Sequence, residues 1–169
     1  MKLVFDATPL IYFARINILD KVVQLKVEKI IPFEVYAEVV KKGKERGKVD
    51  AIFVEKLVAE KTFSIISPKA HNVEYFRKLP KVRKADAETL ALAKEKNAMA
   101  IIDEYNLRTI AAAHGIEYAG SVFILFELNR KKLIIKNDIK KYLDEMIGLG
   151  WRCSTELYSY VLKEIEKLK

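Results

Sequence analysis

The stretch that decides the fold is the first: Met1-Lys2-Leu3-Val4-Phe5-Asp6-Ala7-Thr8-Pro9-Leu10-Ile11-Tyr12. Leu3, Val4 and Phe5 form a short apolar run of strand formers, as expected for a strand buried on both faces of a parallel sheet. The run ends at Asp6. Thr8-Pro9 then reads as a helix N-cap followed by proline at the first helical position. Asp6 is thereby placed at the carboxyl end of a strand, the edge where open α/β sheets bind ligands. An aspartate in a strand-to-helix turn is also simply a good turn former, so its meaning depends on what else reaches that edge.

Downstream, apolar runs alternate with helical periodicity. Val27–Ile31, Thr62–Ile66, Met99–Ile102 and Ile116–Ala119 read as strands, separated by helices over about 33–43, 50–60, 72–79, 85–96 and 105–114. Such alternation predicts a three-layer α/β/α fold around a central parallel sheet of about five strands. Order 3-2-1-4-5 would put the first and fourth strands on either side of a topological switch point. After a helix from Ser121 to about Arg130, two further helices extend the chain. The expectation is one domain over 1–169, with a core to about 130 and a C-terminal helical extension over about 131–169.

The first helix of this series has Phe33, Tyr36, Ala37 and Val40 on one side and Val35 and Val39 on another, with Gly43 suited to stop it. Glu34 and Glu38 are its acids. In the helix that begins near Ala85, Asp86 shares a face with Leu90 and Ala93 and so faces the core. Asp103-Glu104 closes the fourth strand as Asp6 closes the first.

Asp6, Glu38, Asp86 and one of Asp103 and Glu104 are therefore candidates for one crevice. Two like charges about 5 Å apart repel by about 3 kcal/mol even at an effective dielectric of 20, so such a set requires protonation or a cation. Oxygen-only donors favour Mg²⁺ or Mn²⁺, and a cation so held can activate water against a phosphodiester. Thr8 could orient a carboxylate or a bound water. Each acid also has an ordinary reading: Asp6 as turn former, Glu38 as a lysine's partner, Asp86 as a cap or dipole residue, Glu34 and Glu88 as surface acids. Tyr12, Tyr36 and Tyr105 read as packing residues, and neither His71 nor His114 is assigned a role.

The chain carries 31 Lys and Arg against 23 Asp and Glu, a net charge of +8. This would draw it to phosphates or anionic surfaces; the densest basic run, Arg77-Lys78-Leu79-Pro80-Lys81-Val82-Arg83-Lys84, immediately precedes Asp86. Arg77, Lys78, Lys81, Arg83 and Lys84 are the candidate RNA contacts. The lysine- and glutamate-rich charged fraction leans toward a thermophile. With Cys153 as the one cysteine, neither an internal disulfide framework nor a cysteine-rich zinc site can form. No stretch approaches transmembrane length. A cytoplasmic protein with no membrane partner is the expectation.

At this point Val4–Ile11, Pro32–Glu38, Ala85–Glu88 and Ile102–Tyr105 resemble the four acidic motifs of the PIN domain, the metal-dependent ribonuclease fold of VapC-type toxins. The resemblance covers roughly 1–126, and the tail with Gly150-Trp151-Arg152-Cys153-Ser154 looks like a subfamily described as predicted nucleic acid-binding proteins. It implies that Asp6, Glu38, Asp86 and Asp103 or Glu104 hold the metal, with Thr8 as the hydroxyl residue after the first acid. It also implies RNA as substrate, an antitoxin partner and a homodimer. Two positions depart from the pattern. Ile102 stands where a Thr or Ser is common, which favours Glu104 over Asp103, and Ala85-Asp86 replaces Gly-Glu, which makes Glu88 a possible substitute. A PIN-type ribonuclease is the leading expectation, and a non-catalytic RNA- or protein-binding module the alternative. A haloacid-dehalogenase-like phosphatase would need a second Asp at position 8, which is Thr8.

Overall fold

The computed structural model describes residues 1–168. Five parallel strands, β1 (Lys2–Phe5), β2 (Glu28–Pro32), β3 (Ser64–Ile66), β4 (Met99–Ile101) and β5 (Tyr118–Ala119), form one sheet in the order β3-β2-β1-β4-β5. Val4 pairs with Ile30 on one side and Ala100 on the other, so β1 is central. Its side chains alternate between two cores, as a strand's period of two requires. Leu3 and Phe5 pack with helices α1 (Ala7–Arg15), α2 (Leu19–Val22), α5 (Val49–Ala59), α9 (Ser121–Arg130), α10 (Lys136–Gly148) and α11 (Thr155–Lys167). Val4 faces α6 (Ala70–Arg77), α7 (Lys84–Lys96) and α8 (Tyr105–Ala113). The result is the α/β/α layering expected of an apolar run buried on both faces. Among the described residues no helix is long and apolar enough to cross a membrane.

Several local expectations are corrected. Asp6 itself is the N-cap residue of α1, with extended φ −78° and ψ 168°, and the helix starts at Ala7. Thr8 and Pro9 lie inside the first turn, where a missing N–H costs nothing because those donors have no intrahelical partner. Gly43 does not stop its helix. From Phe33 the chain runs α3 (Phe33–Tyr36), a π-helical turn (Ala37–Lys41) and α4 (Lys42–Glu45) without interruption. The left-handed turn glycine is Gly47, at φ +66°. Gly43 instead answers to packing, since a Cβ there would stand 2.7 Å from the Cβ of Ala51. Tyr105, which at 83% exposed is not a packing residue, stands in solvent. Glu88 is buried at 7% and is not a surface acid.

Candidate functional site

Asp6 leaves β1 with its backbone N–H donating to Ile101 O at 3.1 Å, which extends the ladder by one rung beyond Phe5. Its carboxylate is thus fixed at the carboxyl edge of the two central strands, and the residue is 2% exposed. Thr89, fully buried on α7, donates its single hydroxyl proton to Ala85 O at 3.0 Å. That leaves the Thr89 oxygen 3.5 Å from Asp6 Oδ1, a weak contact rather than a strong hydrogen bond.

Asp86 is the third residue of α7 and 1% exposed. Its Oδ2 accepts from the Arg83 backbone N–H at 2.8 Å, the reach-back bond of a capping box. Arg83 then folds its guanidinium onto the same carboxylate, with Nε 3.2 Å from Oδ2 and Nη2 3.1 Å from Oδ1. Its remaining nitrogen, Nη1, lies 3.7 Å from Oε1 of Glu38. Glu38 is in the π-helical turn, one of the local irregularities that recur at functional sites.

Three acids from three elements, Asp6, Glu38 and Asp86, therefore share one electrostatic environment with Arg83 at its centre. Burial is the main reason the Asp6 carboxyl is pushed up to about 7; the charge of Asp86 and more weakly that of Glu38 add to it, against the Ala7 N–H and Arg83. Arg83 is held more firmly protonated, first by its hydrogen bonds to Asp86.

Among the described residues no ion pair joins Arg83 to the other candidate acids. Glu88 Oε2 accepts the Glu34 backbone N–H at 2.9 Å, and Lys84 pairs with the Glu34 carboxylate. This ties α3 to the start of α7. Burial pushes the Glu88 carboxyl up.

Asp103 is spent on a network. Its Oδ1 accepts the Ser121 N–H at 2.7 Å, and its Oδ2 accepts the Ser121 hydroxyl at 2.6 Å and Trp151 Nε1–H at 2.9 Å. Arg108 Nη2 approaches to 3.6 Å. Gly120 is required beside it, because a Cβ there would fall 1.9 Å from Arg108 Nη2 and 3.0 Å from Asp103 Oδ1. Glu104, exposed, occupies the N-cap position of α8 without a side-chain capping bond and lines a cavity of about 420 Å³ together with Thr8, Tyr12, Asp103, Gly150, Trp151 and Arg152. Thr8 thus belongs to the cavity wall, two residues from Asp6. Ser121, Arg108 and Trp151 were not singled out from the sequence. Their common partner, Asp103, lies 48 residues before Trp151, a separation that local periodicity does not encode.

All five candidates of the basic run are exposed, but Arg83 and Lys84 pair with acids, whereas Arg77, Lys78 and Lys81 have no ion pair among the described residues. Tyr105 stands at the same edge of the sheet, and its neighbour Asn106 reaches back to Pro80 O in the basic loop at 3.5 Å.

A family model described as a PIN domain matches residues 2–167. The chain belongs to the PIN domain family. That family generally includes metal-dependent nucleases. Among solved structures, PAE2754 from Pyrobaculum aerophilum is similar, with a TM-score of 0.54 and 17% identity over 77% of this chain and 99% of that one. At that identity the likeness concerns the fold. No curated protein matches.

The donors of this PIN domain can be tested against the divalent ion its family implies. Asp6, Glu38 and Asp86 offer only oxygens, and Asp6 is a buried carboxyl without a strong side-chain donor. In chemistry the set suits a hard divalent cation. In geometry it is closed around Arg83, and among the described residues no three His, Cys, Asp or Glu side chains stand ready to hold a metal. By donor chemistry the residues suit the ion, and Arg83 stands against two of the three carboxylates that would hold it.

Proposed function

We propose that this PIN domain is a divalent-metal-dependent ribonuclease that hydrolyses RNA phosphodiester bonds at the carboxyl edge of β1 and β4. The observation that carries the reading is Asp6: a fully buried carboxylate, at a strand end, facing two further acids from separate elements. Mg²⁺ or Mn²⁺ bound by Asp6, Glu38 and Asp86 would supply Lewis acidity toward the phosphate and a more acidic water. The chain's own contribution is orientation. The capping bond from the Arg83 N–H aims Asp86, and the rung to Ile101 aims Asp6. Thr8 presents a hydroxyl at the rim, and Glu104 and Arg152 face the adjoining cavity. Arg77, Lys78 and Lys81 are free to follow an RNA backbone toward that edge, and the Tyr105 ring is exposed for a base to stack on.

The test is cleavage of a mixed RNA pool with Mn²⁺, comparing wild type with Asp6→Asn. Loss of activity should exceed the roughly 10- to 100-fold that removal of an outer partner of a metal ligand costs. Equal cleavage by the two proteins would end the assignment. The narrower reading, as toxin to an antitoxin, adds that induced wild-type chain arrests growth and that Asp6→Asn does not.

A second reading has an observation of its own. Arg83 already places a positive charge between Glu38 and Asp86, which suits a PIN domain that binds RNA without cutting it. RNA retention by clean wild-type protein with no Mn²⁺-dependent cleavage would favour this module.

A further inference from the structure

Arg83 stands where two of the three acids in the cluster meet. It grips both oxygens of Asp86 in a bidentate fork and approaches Glu38 with its third nitrogen. A divalent ion shared by Asp6, Glu38 and Asp86 would need the same oxygens. The two cations are therefore in competition, whatever else each does.

Two features make the arginine the partner able to leave. Its side chain is 62% exposed while that of Asp86 is 1% exposed, so the guanidinium can swing into water without opening the core. Asp86 would stay aimed, because the Arg83 backbone N–H holds Oδ2 independently of the side chain. Asp6 gains least from the arrangement: no hydrogen bond joins it to Arg83, and it retains the burial cost that a closer cation would relieve.

We propose that Arg83 is the exchangeable counter-cation of the acid cluster, holding Asp86 and Glu38 in the metal-free protein and yielding them to a divalent ion. The inference rests on the metal-dependent reading above. Once displaced, the guanidinium lies beside the ion's site with its fork free, a geometry matched to a phosphate's paired oxygens. The competing view makes Arg83 a fixed clip on the first turn of α7. A clip and an exchangeable cation differ in what their removal does to metal affinity.

The experiment is calorimetric titration of Mn²⁺ into metal-stripped wild type, Arg83→Ala and Arg83→Lys at pH 8, with thermal melts of each protein with and without saturating Mn²⁺. Exchange predicts that Arg83→Ala binds Mn²⁺ about 3- to 30-fold more tightly than wild type. That range is what a charge-assisted bidentate contact, discounted for exposure, would otherwise withhold. Arg83→Lys, which keeps the charge and loses the fork, should fall between them and guards against a variant that fails to fold. The metal-free Arg83→Ala protein should melt below wild type, and the gap should close when Mn²⁺ is added. A folded Arg83→Ala or Arg83→Lys protein with Mn²⁺ affinity equal to or weaker than wild type would overturn the exchange and leave the metal reading standing. No Mn²⁺ uptake by any of the three would remove both.

Discussion

At the scale of single residues, Asp6 has an unusual thermodynamic position. Its carboxyl is raised from 3.8 to about 7 chiefly by burial, so between those values the folded protein holds a proton that the unfolded chain has released. Stability in this interval must fall as pH rises, because the native state binds more protons. Below about 3.8 both states are protonated and the contribution is whole; above about 7 both are ionised and it is lost. Three pK units correspond to a ceiling on the order of 4 kcal/mol. In metal-free protein, Asp6→Asn removes this titration without changing the side chain's shape. Denaturant unfolding in EDTA should therefore show the variant gaining on wild type from pH 5 to about pH 7 and levelling off by pH 8. A stability difference that stays constant across that range would contradict the buried-acid account.

At the scale of elements, one carboxylate adds a polar tie between the sheet edge and a tail that is already packed into the core. Asp103 follows β4, Ser121 opens α9, and Trp151 lies between α10 and α11, so a single buried network joins three parts of the chain. Trp151→Phe keeps the ring in the core and deletes the Nε1 donor to a charged acceptor. A loss of about 1–3 kcal/mol is expected, which for a chain of this size is a fall in Tm of about 2–10 °C. Amide exchange should quicken in α10 and α11 ahead of the sheet. An unchanged Tm would show that the hydrogen bond carries no net stability.

This network also marks the limit of what the sequence makes legible. Leu3-Val4-Phe5 followed by Asp6 reveals the central strand and its carboxyl edge, because burial on both faces leaves a continuous apolar run. The facing of Asp86 toward the core follows from helical periodicity in the same way. The pairing of Asp103 with Trp151 has no such signal, because tertiary hydrogen bonds impose no spacing. The π-helical turn at Glu38 is equally silent, since a shifted backbone hydrogen bond needs no special residue. Gly43 misleads because a glycine demanded by contact with Ala51 looks the same as one demanded by a helix end. Arg83 could have been read: an acid three residues after it, at the start of a helix, is a capping-box spacing.

At the scale of the whole molecule, the net charge of +8 coexists with a functional edge built from carboxylates. On the proposed ribonuclease reading the excess would act around the site rather than in it, because phosphate would be repelled by Asp6, Glu38 and Asp86 until a cation offsets them. Arg77, Lys78 and Lys81 meet that requirement: they are exposed, they precede α7, and they have no acid partner among the ion pairs of the described residues. If each contacts one phosphate of single-stranded RNA, each contributes about 0.7 to the slope of log K against log salt. Changing all three to Ala in an Asp6→Asn background, where no cleavage intervenes, should lower that slope by about 2 and weaken binding most at low salt. Fluorescence anisotropy with a labelled oligoribonucleotide between 50 and about 300 mM salt measures both quantities. Tyr105→Ala in the same background should weaken binding while leaving the slope intact, because stacking releases no counterions. A triple variant with the parent's slope would rule out the α6–α7 loop as the proposed RNA path.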